Sequence, residues 1–338
     1  MTTNLVTKVF KLLLLLSPIV IGADINMDMF DLIFFRTGII ILFMASLIDT
    51  PKRVMPVWVN KIVFGFMGLC IFNIFIHTFA PCVMSVTMNL FLSIIGIYIT
   101  YTYLDKTDLT KYILLAGAIN LIFLLFQRIG FDPIFDQIPQ SQPYLAGAFL
   151  GNAPRLGTYF ALIIPFMYVL SLPLAIIVSL LIGQYVMLIP IAILLYTRDK
   201  SRGWKLLIGG FSLASIFILH KHIWFSLVLR FNNTWKPGLT YFFDRLLIGY
   251  GLGAKVGDTF GIISTSYIQF LLGAGILGLV WLGYLFKKLK FDDSRESIAL
   301  FSLLVIMFFE YPVELTRCWY LIIAIIVMYL LKQDKELI

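Results

Sequence analysis

Apolar residues dominate this chain in runs of about 15 to 25, separated by short polar breaks. A helix needs about 20 apolar residues to cross a bilayer. The runs predict spans near 5–23, 30–48, 59–79, 82–104, 110–128, 156–175, 176–197, 204–222, 260–286, 296–312 and 317–331. Residues 204–231 are long for one helix and short for two, so the count is ten to twelve. The expected fold class is all-α, a polytopic membrane protein with 1–338 as one transmembrane domain. No internal repeat is visible. The run Leu12 to Ile21 follows Lys8 and Lys11 without a small-residue cleavage site, which predicts a first membrane helix rather than a signal peptide.

Composition agrees. Of 338 residues, 60% are apolar and only 13% charged, and the mean hydropathy is +0.96. Soluble domains carry about 25% charge. A soluble enzyme, a disordered chain and a disulfide scaffold are therefore excluded. The net charge of +8 would hint at nucleic acid in a soluble protein. In a membrane protein it reads first as lysine bias in cytoplasmic loops, and no nucleic acid partner is expected. Lys8 and Lys11, Lys52 and Lys61, Lys106 and Lys111, Lys287 and Lys288, and Lys332 and Lys335 then mark the cytoplasmic side, with both termini there.

That orientation places two long connections, 129–155 and 223–262, on the outer side. The second carries Arg230, Lys236, Arg245 and Lys255 against Asp244 and Asp258, the wrong sign for an ordinary outer loop. From Trp235 to Leu247 its apolar spacing predicts a short amphipathic helix at the membrane surface. Gly249, Gly251 and Gly253 end it. Alternating glycines can adopt positive φ and offer their N–H groups to an anion. Guanidinium groups bind phosphate bidentately. The bland alternative is an interfacial helix whose arginines reach to lipid headgroups. Upstream, Asn152 is placed to cap a helix, Pro154 fits its first turn, and Arg155 sits at the positive end of the dipole. The basic segment Arg198–Lys205 fits the cytoplasm by charge and the outside by counting spans; the outer placement is preferred.

Three motifs occur in order: Gly151-Asn152 with Leu156, Tyr159 and Pro165-Phe166; Ser201-Arg202-Gly203; and Arg230, Trp235, Gly249 and Gly251, followed by Ser266-Tyr267-Ile268-Gln269, Gly275 and Gly278. Over about residues 150–285 their order resembles the O-antigen ligase and polymerase superfamily of bacterial membrane glycosyltransferases. The resemblance implies a C-type glycosyltransferase architecture in the bacterial inner membrane with a periplasm-facing cavity. It implies glycan transfer from an undecaprenyl-diphosphate donor to a lipid-linked acceptor glycan, with a chain-length regulator or flippase as candidate partners. The arginines matching those thought to hold the donor diphosphate are Arg202 and Arg230. Arg155 and Arg245 are added from the loop charge.

One departure stands out. Ligase-like members have a His-Asn pair where this chain has Ser264-Thr265. The proton acceptor must then come from elsewhere, and Asp258, Asp244, His222 and His220 are the candidates. Loss of the His disfavours a ligase more than a polymerase. No Asp-x-Asp pair or metal-ligand spacing is present, so metal-independent chemistry without a cofactor is expected. A transporter for lipid-linked glycans, an O-antigen ligase or protein O-oligosaccharyltransferase, and an inactive homologue are the alternatives.

Overall fold

The computed structural model describes residues 4–18, 27–77, 81–104, 109–131, 153–167, 193, 228, 231–252, 266–307 and 318–336. Among these the secondary structure is entirely helical. The helices are α1 (Leu5–Leu16), α2 (Met27–Ile48), α3 (Val57–Ile76), α4 (Pro81–Tyr103), α5 (Thr110–Arg128), α6 (Ala153–Ile163), α7 (Lys236–Asp244), α8 (Ser266–Lys288), α9 (Arg295–Ile306) and α10 (Trp319–Glu336). A short 3₁₀ turn, Ile164–Phe166, extends α6 at Pro165, and a π turn, Phe231–Trp235, leads into α7.

The spans expected at 30–48, 59–79, 82–104 and 110–128 each match a helix within three residues at either end. The spans at 176–197 and 204–222 lie almost wholly outside the described residues, so the ten-to-twelve count is not tested on them. Within the run at 156–175 the α-helix stops at Ile163, because Pro165 lacks the N–H that would continue the α ladder, and 168–175 lie outside the described residues. Among the described residues, four helical stretches are long and apolar enough, by length and composition alone, to cross a membrane: Val57–Ile76, Met84–Tyr103, Thr110–Arg128 and Phe270–Lys288.

The core lies where α2, α4 and α10 meet, with α1, α5, α6 and α9 against them. Tyr320 sits at its centre. Its ring lies edge-on to Phe10 and Phe34, 6.4 and 6.1 Å away, and its hydroxyl donates to the Phe35 carbonyl at 2.9 Å. Gly38 makes room: a Cβ there would lie 1.9 Å from that hydroxyl. The start of α1 is tied down twice. Asn4 caps it by accepting from the Thr7 N–H at 2.9 Å, and the Val6 N–H donates to Asp49 Oδ2 at 2.7 Å. Caps of this kind satisfy donors that a helix start leaves open.

The last of the four long helices is folded back on itself. Gly275 has φ 61° and ψ −151°, a conformation essentially reserved for glycine. The Phe270 and Trp281 rings are 5.7 Å apart, and those of Tyr267 and Phe286 6.1 Å apart. A straight helix would hold these pairs about 16 and 28 Å apart along its axis. Residues 266–274 and 276–288 therefore form a tight antiparallel hairpin. Gly278 permits the close approach, since a Cβ there would meet Ala274 Cβ at 2.7 Å and Phe270 at 3.1 Å. The second arm runs along α3, where Trp281 Nε1 donates to the Ile62 carbonyl at 3.1 Å and packs on Phe66, 4.6 Å between rings. The single span expected over 260–286 is thus a hairpin. Its apolar composition was legible; the reversal depends on one glycine's φ.

Candidate functional site

The site grows from the tip of this hairpin. The expected amphipathic helix is present as Lys236–Asp244, with Pro237 in its first turn. It ends earlier than expected. Arg245 leaves helical geometry at φ −130° and ψ 51°, although its N–H still donates to the Tyr241 carbonyl at 3.3 Å. The chain then enters the glycine turn, with φ 66° at Gly249 and 101° at Gly251.

This turn locks onto the hairpin backbone to backbone. The Tyr250 N–H donates to the Leu272 carbonyl at 2.7 Å, and the Gly251 N–H to the Gly273 carbonyl at 3.1 Å. In return the Ile276 N–H donates to the Leu246 carbonyl at 2.7 Å. Asn73 of α3, 1% exposed, clasps both sides. Its Nδ2 donates to the Gly273 carbonyl at 3.0 Å, and its Oδ1 accepts from the Leu252 N–H at 2.7 Å. A Cβ on Gly249 would stand 2.5 Å from the Leu272 carbonyl oxygen, one on Gly273 2.7 Å from Leu252 Cα, and one on Gly275 2.7 Å from the Leu247 carbonyl oxygen. Two glycine motifs far apart in sequence are one joint.

The joint corrects an expectation. Gly249 and Gly251 do adopt positive φ, yet they do not offer their N–H groups to an anion. The amides of residues 249 to 252 all donate inside the protein, that of Gly249 to the Arg245 carbonyl at 2.9 Å. The glycines build the platform, and side chains on it must do any binding.

Arg245 is the cation on that platform. It is exposed, and its guanidinium stacks 4.6 Å above the Tyr250 ring, which meets Tyr241 edge-on at 6.3 Å. A guanidinium held over a ring is oriented and keeps its N–H edge for a second partner. Among the described residues no carboxylate pairs with it. Trp235 sits at the junction of the π turn and α7, its indole N–H buried without an acceptor. Tyr267 is placed elsewhere: it is buried on the first hairpin arm, and its hydroxyl donates to the Leu304 carbonyl of α9 at 3.0 Å. It is a packing residue of the hairpin rather than a neighbour of Arg245. The Arg155 backbone belongs to the first turn of α6, as expected, but its side chain lies outside what the structure describes. Asn152, Arg202, His222, Arg230 and Asp258 also lie outside the described residues.

One charged residue escaped the sequence reading. Arg36 stands inside α2, within the span expected at 30–48. Its Nε donates to Asn89 Oδ1 at 3.0 Å and its Nη2 to Ser85 Oγ at 3.3 Å, both on α4. Ser85 is one turn nearer the start of α4 than Asn89, so the guanidinium points toward that end. The side chains of Asp28 and Asp31, earlier in α2, lie outside what the structure describes. A single charge barely lowers the mean hydropathy of a 19-residue window. The signal that finds Arg36 is the lone charge itself, because ionisable residues in membrane helices are costly and require polar partners.

Among the described residues no group of three or more His, Cys, Asp or Glu is arranged to hold a metal ion. No family model and no curated protein matches this sequence.

Proposed function

We propose that the protein is a membrane glycosyltransferase, an O-antigen or capsule repeat-unit polymerase. It takes an oligosaccharide from an undecaprenyl-diphosphate donor and adds it to a lipid-linked acceptor glycan at the outer face of the bacterial inner membrane. The observation that carries this reading is the joint. The Gly249-x-Gly251 and Gly275-x-x-Gly278 motifs, on which the family resemblance partly rests, pack against each other and present Arg245 at the end of an amphipathic helix. Arg202 and Arg230 join the cationic set by the motif order, and Arg155 by its place at a helix start.

In the proposed reaction the arginines neutralise the diphosphate, which makes it a better leaving group. The acceptor hydroxyl oxygen bonds to the anomeric carbon as the carbon–diphosphate oxygen bond breaks. The hydroxyl proton passes to Asp258 or His222, and undecaprenyl diphosphate departs. No step requires a metal.

A knockout read on a glycan gel tests the reading. Loss of long ladders with one repeat unit still attached marks a polymerase. Loss of all attached glycan, with polymer left on the carrier, marks a ligase. Arg230→Ala and Arg245→Gln should each reduce ladder growth while the protein remains inserted; unchanged ladders in both sink the diphosphate clamp.

A transporter of lipid-linked glycans is the second reading, and the folded hairpin favours it, because broken helices line transporter sites. Transporters built on repeats carry such breaks in both halves, and no second described helix reverses in this way. Movement of lipid-linked glycan across vesicles without change of its length would establish the transporter.

A further inference from the structure

A cavity of about 300 Å³ lies between α3, α4, the hairpin α8, α9 and α10. Its walls are hydrocarbon, with Val63, Leu90, Leu285 and Leu303 among them. Four of the polar side chains that line it turn their polar atoms into the backbone. Ser93 Oγ donates to the Asn89 carbonyl at 2.6 Å, Trp281 Nε1 to Ile62, Tyr267 OH to Leu304, and Tyr329 OH to the Lys290 carbonyl at 2.7 Å. Trp319 differs from these four, its indole N–H being buried without an acceptor. Such a lumen offers little to a sugar, a phosphate or water, and much to an alkyl chain.

One end of the cavity is basic. Trp58, Leu289 and Tyr329 line it there, and the exposed Lys61, Lys287, Lys288 and Lys290 stand beside them. Of the nearby carboxylates, Asp293 is exposed and Asp292 is held by Lys332. An amphiphile with its chain in the lumen therefore meets an excess of positive charge at its head.

We infer that the cavity holds one acyl chain of an anionic phospholipid whose headgroup sits among these lysines. The lysines then act as a headgroup site as well as topological anchors. The chain fills a lumen that side chains leave unpacked, and it braces the hairpin against α3 and α9. The cavity reaches the underside of the joint at Leu252, but the headgroup site lies at its other end, beside Trp58, and it stands whether or not the protein transfers glycans.

The test uses the full chain purified in mild detergent, with lipids identified by native mass spectrometry and by extraction. One anionic phospholipid should remain per chain after washing. The surface variant K61Q/K287Q/K288Q should lower its retention relative to a zwitterionic lipid by roughly fivefold per lysine removed. A cavity-filling variant, Leu303→Trp, should displace the lipid, and Leu90→Phe provides a milder filler should the first fail to fold. Three results overturn the inference: no retained phospholipid, retention that ignores the lysines or the fillers, or a polyprenyl lipid in place of the phospholipid. The last would assign the cavity to the carrier.

Discussion

The bundle around Tyr320 and the joint around Gly249 both depend on glycine, but for different reasons. At Gly38 the space is taken by the end of a side chain, the Tyr320 hydroxyl. At Gly249, Gly273 and Gly275 it is taken by backbone atoms of another segment. A side chain can rotate or be shortened to admit a methyl group. A backbone pinned by hydrogen bonds on both sides cannot. The bundle is therefore repairable by compensating substitution, and the joint is not. The region that carries the candidate chemistry is the less forgiving of the two.

The largest effect should come from Gly275→Ala or Gly249→Ala. Each adds left-handed strain of about 1–2 kcal/mol to an overpacking cost of about 1–3 kcal/mol. Loss of folded protein, measured by thermal stability in detergent, is the expected outcome; stability within error of the parent would break the contrast. Next comes Asn73→Leu, which strands the Leu252 N–H and removes one of the two donors to the Gly273 carbonyl, leaving the Gly251 N–H as the other. The buried Leu252 N–H alone should cost about 1–3 kcal/mol. Chymotrypsin cutting in 245–252, followed by mass spectrometry, should rise in this variant.

Gly38→Ala should cost less, and it sharpens the comparison. The Tyr320→Phe change, which removes the obstructing hydroxyl, should recover part of the loss in the double variant. If no second-site change relieves Gly38→Ala, the two regions do not differ in the way described. The smallest effect concerns the loop before α9. Partial burial pushes the Asp292 carboxyl up, but hydrogen bonds from Lys332 and Ser294 outweigh it and hold the group down at about 2. A carboxyl lower in the folded state than in the unfolded one stabilises above its unfolded pKa, near 3.9. That contribution fades as pH falls toward about 2. Because the pair is only partly buried, Asp292→Asn should flatten the acid limb of the stability profile only slightly.

The helices were legible because an apolar run of membrane length leaves few other structures open to the backbone. The end of α6 was missed although Pro165 marks it, because the apolar run continues past the proline to 175. The hairpin was not legible, because apolar periodicity is the same on a rod as on two arms, and the reversal rests on the φ of Gly275. Asn73 and Arg36 were hidden for a related reason. Each is one polar residue in an apolar run, and its meaning depends on a partner elsewhere in the chain. Within the site, the helix at Trp235 and the positive φ of Gly249 and Gly251 could be read. The direction of the Gly251 N–H could not, since it depends on the Gly273 carbonyl, more than 20 residues away.

The clasp of Asn73 on Gly273 joins positions 200 residues apart. Closing so long a loop carries an entropy cost that local helix formation does not. It also cannot begin until α8 has been synthesised, long after α3. The platform under Arg245 therefore waits for α8, and the Tyr320 contact with Phe35, 285 residues apart, waits longer still, for α10. A chain arrested before the hairpin would hold α3 in the bilayer with Asn73 still seeking its partners, so the candidate site arises only once synthesis of the hairpin is complete.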